Sequence, residues 1–524
     1  MARAAAWPQS SVVERVDVAV IGAGFGGLGA ALSLAERGAD VALLETLSYP
    51  GGCASTYRRR GCRFESGATL FSGFGEGQLF ADWIARHGLD VRVDFLDPVV
   101  TLRAPGLELA VPADRGAWVE TLASRAGERG DAVRAFFETQ GRCADALWSL
   151  FSDPGLLPPF GFGGLWRHLA RAPRYLPLLP WVGKPLRALV DAHGLGDLRE
   201  LSLFLDAVSQ ITVQTSAAEA EAPFAMATMD YYFRGTGHVR GGIGELAWGL
   251  AGAIEGLGGR VRMTDRVKSL RRRGGAWEIE SRRGTLRAET VVANLLPQNV
   301  QALLPDDADV EPRLLELAGA VEEGWGAVML YLVIDPDAVD GEGAHHLELV
   351  ADPDAPFLEG NHLFCSISAA HEDRAPDGAR VVTVSTHVPM RALETGEPGR
   401  YVAGVQERMR ETLGRLAPRL AAAVRMEMTA SPRTFERFTG RHRGFVGGIP
   451  RRHGWHNYRH MWPAPVAEDL YLVGDTVFPG QSTLATALGG VKLADHLAGR
   501  RVVAERRDGV YLLTVPFAGP SPRL

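Results

Sequence analysis

Lysine is nearly absent from this chain: Lys184, Lys268 and Lys492 are its only lysines, and arginine carries almost all of the positive charge. With a formal net charge of −6 and no lysine-rich run, there is no basic field for nucleic acid. Cysteine is scarce too. Cys53, Cys62, Cys143 and Cys365 form no CxxC pair and share no metal spacing with histidine. Buried free thiols in a reducing compartment are expected, and no metal. His453, His456 and His460 stand close together, but in a loop without a ligand spacing. No uninterrupted apolar run approaches the ~20 residues of a membrane-spanning helix. Residues 1–16 lack the apolar stretch of a signal peptide. The expected location is cytoplasmic, with peripheral membrane contact left open.

What is present begins at Asp17-Val-Ala-Val-Ile-Gly-Ala-Gly-Phe-Gly-Gly-Leu-Gly-Ala-Ala-Leu and runs to Val41-Ala-Leu-Leu-Glu45. The pattern predicts a buried strand, a glycine turn, a helix, and a second strand ending in an acid. Gly22 permits the tight turn, Gly24 lets the backbone approach a pyrophosphate, and Gly27 lets helix pack on strand. Phe25 and Gly26 complete the turn, and the helix start offers unpaired N–H groups to phosphate. Glu45 falls roughly twenty residues on, where an acid accepts from a ribose 2′-OH. A carboxylate there repels a 2′-phosphate, so the expected ligand is FAD or NAD rather than NADP.

Three further segments favour the longer flavin dinucleotide. Pro50-Gly-Gly-Cys-Ala-Ser-Thr-Tyr57 and Phe64-Glu-Ser-Gly-Ala68 offer Gly51, Gly52, Ala54, Ser55, Gly67 and Ala68 as further cofactor contacts. Gly241-Gly-Ile-Gly-Glu-Leu reads as a turn into a helix, followed by a strand returning to the first sheet; Val267 joins the cofactor set. Strands are expected at 276–280 and 284–287 and again over 290–294. At the C-terminal end an apolar strand runs into Gly474-Asp475, and a Gly/Pro turn leads to a helix near Ser482. Asp475 is placed for ribityl or pyrophosphate groups. Gln481, Ser482 and Thr483 lie at a helix start able to stabilise negative charge on a reduced ring.

These blocks resemble the phytoene desaturase and carotenoid isomerase branch of the flavin amine-oxidase-like superfamily. The N-terminal block, Gly241-Gly242 and Tyr471-Leu-Val-Gly-Asp-Thr-Val-Phe-Pro-Gly-Gln481 occur in the family's order, the last nearest the carotenoid isomerase form. Ser368–Gly378 resembles the family's Ala-Pro-x-Gly turn. Cys53, Ala68 and Arg240 depart from residues usual in the family. The resemblance implies FAD, and an α/β fold: a Rossmann-like, glutathione-reductase-like FAD-binding domain with an intertwined α+β substrate domain on an antiparallel sheet. The expected boundaries are 12–105, 236–310 and 462–505 for the FAD-binding domain and 106–235 and 311–461 for the substrate domain. Residues 506–524 form a tail in which Tyr511-Leu-Leu-Thr-Val docks as a strand.

The substrate half is apolar. From Leu147 to Val190, tryptophan, phenylalanine and leucine alternate with Arg167, Arg171, Arg174 and Lys184. Such a mixture suits a membrane-surface contact over 147–190, a packed helical cap, or a dimer surface. Trp325–Ile334 reads as a buried strand, and others follow near 345–350, 361–367 and 380–386. Amine oxidases of the superfamily tend to carry a lysine in the strand resembling 325–334; this chain has none there. The expected activity is desaturation or isomerisation of a hydrophobic polyene or terpenoid by hydride transfer to the flavin. Two alternatives stand: oxidation of a secondary-metabolite heterocycle or amine, and non-catalytic binding of a prenylated protein. No catalytic residue is assigned. Glu219, Glu221, Asp230, His238, His371, Glu372 and Asp373 are the available bases.

Overall fold

The computed structural model describes residues 14–67, 69–394 and 396–507. Ala68 and the proposed docking strand at Tyr511 lie outside them. The strand Glu14–Ile21 is buried on both faces from Val18 to Ile21, as the centre of a parallel sheet must be. It pairs in parallel with Val41–Leu44 on one side and Thr285–Ala293 on the other, with Val18 opposite both Val41 and Thr290. Arg260–Arg262 extends the first flank, and Leu470–Leu472 pairs in parallel with the end of Thr285–Ala293. An antiparallel hairpin, Val267–Arg273 with Ala276–Ser281, completes the opposite edge. The two strands expected at 284–287 and 290–294 are one continuous strand, because Glu289 continues the ladder without a turn.

Two helices cover this sheet by direct backbone approach. Phe25–Glu36 and Thr483–Arg507 cross where a Cβ on Gly29 would lie 2.6 Å from the Ala487 carbonyl. Only glycine allows so short an interaxial distance.

The second sheet has seven strands in the order Val424–Ala430, Trp325–Ile334, Arg380–Pro389, His362–Ile367, His345–Val350, Val100–Ala104 and Leu107–Val111. It is not wholly antiparallel: His345–Val350 runs parallel to Val100–Ala104. The expected boundary at 105/106 therefore falls inside a hairpin of this sheet. Pro105-Gly106 is its two-residue turn, with Gly106 at φ +72°. A layer of helices from Arg115–Arg125 to Ala222–Met229 packs beside it around Trp118, Phe136 and Phe204.

A buried carboxylate ties the turn after His362–Ile367 to the turn that leads into the helix Gly244–Gly256. Glu372 Oε1 accepts from Gly241 N at 2.8 Å, and its Oε2 faces His238 Nε2 at 2.9 Å. Neighbouring Arg374 donates to Glu65 Oε1 at 3.1 Å, which also accepts from Ile243 N at 3.0 Å. Burial pushes the Glu372 carboxyl up, but His238, Arg374 and the Gly241 N–H outweigh it and hold it at about 2. Depressed from 4.5, the group contributes stability fully present above pH 4.5 and lost as pH falls through 2. Glu372→Gln is expected to cost on the order of 3 kcal/mol at pH 7. Denaturant midpoints of wild type and variant should converge between pH 4.5 and 2; a gap independent of pH rejects the charge-based account.

Candidate cofactor and substrate site

One continuous cavity of about 410 Å³ connects the glycine turn to the helical layer. At the turn, Gly22 has φ +95°, and the helix from Phe25 has neither a side-chain cap nor an acid in its first turn. Its leading N–H groups are left for an anion. Asn294, at the end of Thr285–Ala293, ties the turn together by donating Nδ2 to the Gly22 carbonyl at 3.3 Å. A Cβ on Gly24 would lie 2.6 Å from Asn294 Nδ2, and one on Gly26 2.7 Å from its Oδ1 and 2.9 Å from Gly474 N. A Cβ on Gly27 would overlap the Gly22 carbonyl oxygen. Gly27 therefore sits behind the wall, holding helix against strand.

Glu45 is only 7% exposed. Its Oε2 accepts from Ala23 N at 2.7 Å and its Oε1 from Leu47 N at 2.8 Å. Burial pushes the carboxyl up despite these bonds. Each oxygen keeps a lone pair for a ligand hydroxyl. Asp265, whose N–H donates to Glu45 O at 2.7 Å, has a buried Oδ2 that accepts no hydrogen bond among the described residues and lies 3.9 Å from Arg262 Nη1. Two acids at one end suit ribose hydroxyls and reject an additional phosphate. Gly51 (φ +110°) and Gly52 fold back so that a Cβ on Gly52 would lie 3.4 Å from Gly24 Cα. Ala54, Gly67 and Val267 also line the cavity. Ser55 does not, being buried with its hydroxyl 3.1 Å from Ser66 Oγ.

The C-terminal segment closes the far side. Gly474, Asp475, Gln481, Ser482 and Thr483 all face the cavity, as do Phe25 and Gly26. Asp475 Oδ2 accepts from Arg441 Nη2 at 2.8 Å; burial alone would lower this guanidinium, and Asp475 more than offsets it. Burial pushes the Cys53 thiol up, leaving it protonated. Gln481 Nε2 donates to Ile211 O at 2.9 Å, and the buried Thr483 Oγ1 has no partner. The orphan acceptors, the uncapped helix and the glycine cradle fit a dinucleotide cofactor.

Beyond this end the wall turns apolar: Leu70, Phe71, Trp148, Phe151, Phe224, Met329 and Phe364. The second sheet presents Ala327 and Met329 opposite His387 and Ser385. His387 is pulled down to about 4 by burial, so it is neutral at pH 7. None of the seven candidate bases lines the cavity. Asp230 is held by Arg115 and Arg234, and Glu221 by Gly183 N, Gly454 N and the Tyr458 hydroxyl. His238 and Glu372 bond each other; Glu219, His371 and Asp373 belong to exposed segments. Asn294, Asp265, Arg441, His387 and Arg451 are the wall residues that sequence reasoning missed. Of these only Asn294 carried a signal, as the residue ending the strand beside the glycine turn. Among the described residues no His, Cys, Asp or Glu cluster could hold a metal ion.

The family model for the NAD(P)-binding Rossmann-like domain matches residues 20–86. Prolycopene isomerase 1 from an Oncidium hybrid cultivar is 25% identical over 517 residues, covering 93% of this chain and 84% of its own. Hydroxyneurosporene desaturase from Cereibacter sphaeroides is 30% identical over 317 residues, covering 57% and 60%. In structure, an oxidoreductase from Methanosarcina mazei superposes with a TM-score of 0.61 at 18% identity, covering 91% of this chain and 100% of the other. The chain thus shares the fold of that oxidoreductase. In sequence it is similar to the carotenoid isomerases and desaturases, and the Rossmann-like match together with the glycine cradle suits a flavin or nucleotide cofactor.

Gly27→Ala is expected to lower stability by about 3 kcal/mol or more, since the clash is with backbone that cannot step aside. Thermal melts of the two proteins test this, and equal midpoints would show that the turn can relax.

Proposed function

We propose that this protein is an FAD-dependent oxidoreductase of hydrophobic polyenes, desaturating or isomerising them by hydride exchange with the flavin. The observation that carries it is the single cavity, whose one end is a glycine-and-acid cradle and whose other end is walled by aromatic and aliphatic side chains. The carotenoid-acting relatives support the same reading. Bound FAD supplies two-electron chemistry at its ring. Glu45 and Asp265 would hold the ribose, and the helix start at Phe25 the pyrophosphate. Asp475 and the helix start at Thr483 would hold the ribityl and ring end. Trp148, Phe151 and Phe364 exclude water and align an extended chain. His387, neutral and without a hydrogen-bond partner for its ring among the described residues, is available to accept a proton at the cavity wall. The bare Ala327 and Met329 positions disfavour the lysine-dependent arrangement of amine oxidation.

The same reading gives the exposed helix Phe162–Tyr175 a role. Phe162, Leu165, Trp166 and Leu169 lie exposed along one side, followed by exposed Leu176 and Leu179. Arg167 is tethered to Asp153 at 2.7 Å. This is the composition of a helix lying in a membrane interface. It follows closely on Trp148 and Phe151 of the cavity wall, so lipid-dissolved substrate has a short way in. Among the described residues no helix is long and apolar enough to cross a membrane.

Three measurements test these points. Acid precipitation of the purified protein should leave FAD in the supernatant, and Glu45→Ala should lower FAD occupancy about tenfold. Anaerobic mixing of the oxidised holoprotein with liposomes carrying linear carotenes should bleach the flavin and yield a longer conjugated product. If neither oxidised nor reduced enzyme alters any polyene, the polyene reading fails. Flotation with anionic liposomes should recover the wild type, and Trp166→Ser with Leu169→Ser should cut recovery about tenfold. Equal recovery would assign that face to packing.

A further inference from the structure

The cavity wall holds a cation that no carboxylate among the described residues balances. Arg451 lines the cavity where the helical layer meets the Pro479-Gly480 turn, its guanidinium 5.2 Å from the centre of the Phe224 ring. Its Nη2 donates to Pro479 O at 3.3 Å, the single side-chain hydrogen bond it makes to the described residues. No carboxylate comes within ion-pair distance of it among those residues. Glu221, whose N–H donates to Arg451 O at 2.9 Å, has its own carboxylate oxygens taken by Gly183 N (2.6 Å), Gly454 N (2.8 Å) and the Tyr458 hydroxyl (2.7 Å). Burial pulls Arg451 down to about 10, so it remains charged at neutral pH. Beside it Gln214, next to the Val213 carbonyl that accepts from Arg451 N at 3.0 Å, has a buried Oε1 without a partner.

A guanidinium in an apolar wall is costly unless an anion meets it. Arg441, at the cofactor end of the same cavity, already has Asp475. Arg451 instead is embraced by Phe224 and Val213, from the helical layer that shapes the substrate end. The cofactor's ring end has the helix start at Thr483 for its negative charge, a start capped by Ser482 Oγ, which accepts from Ala485 N at 3.0 Å, and free of acids in its first turn.

We propose that Arg451 anchors the head of the substrate: the cavity takes an amphiphile, a long apolar chain ending in a carboxylate, with the carboxylate on Arg451 and the chain along the aromatic wall. A planar guanidinium can meet a carboxylate through two parallel hydrogen bonds, whereas an alcohol or hydrocarbon terminus leaves the charge unanswered. The inference rests on the polyene reading for the chain and is independent of it for the head.

The test titrates holoprotein with all-trans retinoic acid and retinol, which differ at the head alone, and with oleic acid and methyl oleate, following tryptophan quenching. Each acid should bind about 30-fold more tightly than its neutral partner. Arg451→Gln should abolish that preference while retinol affinity stays within about threefold, and Arg451→Lys should retain part of it. Circular dichroism and flavin content establish that both variants are folded and loaded. Equal binding of acid and neutral ligand by the wild type overturns the anchor while leaving the polyene reading intact. So does a parallel loss of both in Arg451→Gln. An altered flavin midpoint potential with an unchanged acid preference overturns it too, by assigning Arg451 to the cofactor. Should oleic acid outbind its ester while neither retinoid binds, the anchor stands and the polyene reading falls.

Discussion

Everything in this molecule depends on how closely four pieces of backbone approach one another around Asn294. The turn at Gly22, the helix start at Gly26, the strand end at Asn294 and the C-terminal turn at Gly474 meet at distances that leave no room for a Cβ. That contact fixes the cofactor end of the cavity, and the approach of Gly29 to Ala487 fastens the helix Thr483–Arg507 to the helix Phe25–Glu36. The chain returns to the first sheet twice, at 260–293 and again at 465–472, and five of the second sheet's seven strands lie between the returns. Cofactor cradle and substrate chamber are therefore parts of one packing solution.

The cradle was largely legible in sequence because each of its parts is local. A glycine turn, an acid at the next strand end, and a strand running into Gly-Asp each declare themselves within a few residues. Glu45, Gly51, Gly52 and Asp475 stand on the cavity wall for that reason. Ser55 shows the limit: its neighbour Ala54 faces the cavity, while Ser55 points inward to Ser66.

The substrate end was not legible, and the reason is physical. His387, Arg451 and Gln214 come from a strand, a loop and a helix end far apart in the chain, and none belongs to a local pattern. Isolated acids misled in the opposite direction. Glu221, Asp230 and Glu372 are buried and fully engaged, so they behave as internal struts. A carboxylate that ties a loop and one that moves a proton look alike in a sequence. The hairpin around Pro105-Gly106 escaped for a related reason: its parallel partner, His345–Val350, lies more than two hundred residues away.

The scarcity of lysine has a practical consequence once the side chains are placed. Lys492 is buried and paired with Asp495 at 2.8 Å, whereas Lys184 and Lys268 are exposed. Lys268 lies on the edge hairpin of the first sheet; Lys184 lies beside Trp181, its Nζ 5.7 Å from the ring centre, shortly after the exposed apolar helix. The native chain thus offers two well-separated side-chain amines to acylating dyes, one on each half of the molecule. A fluorophore at Lys184 would report on the polarity around the apolar face, and one at Lys268 would provide the internal reference.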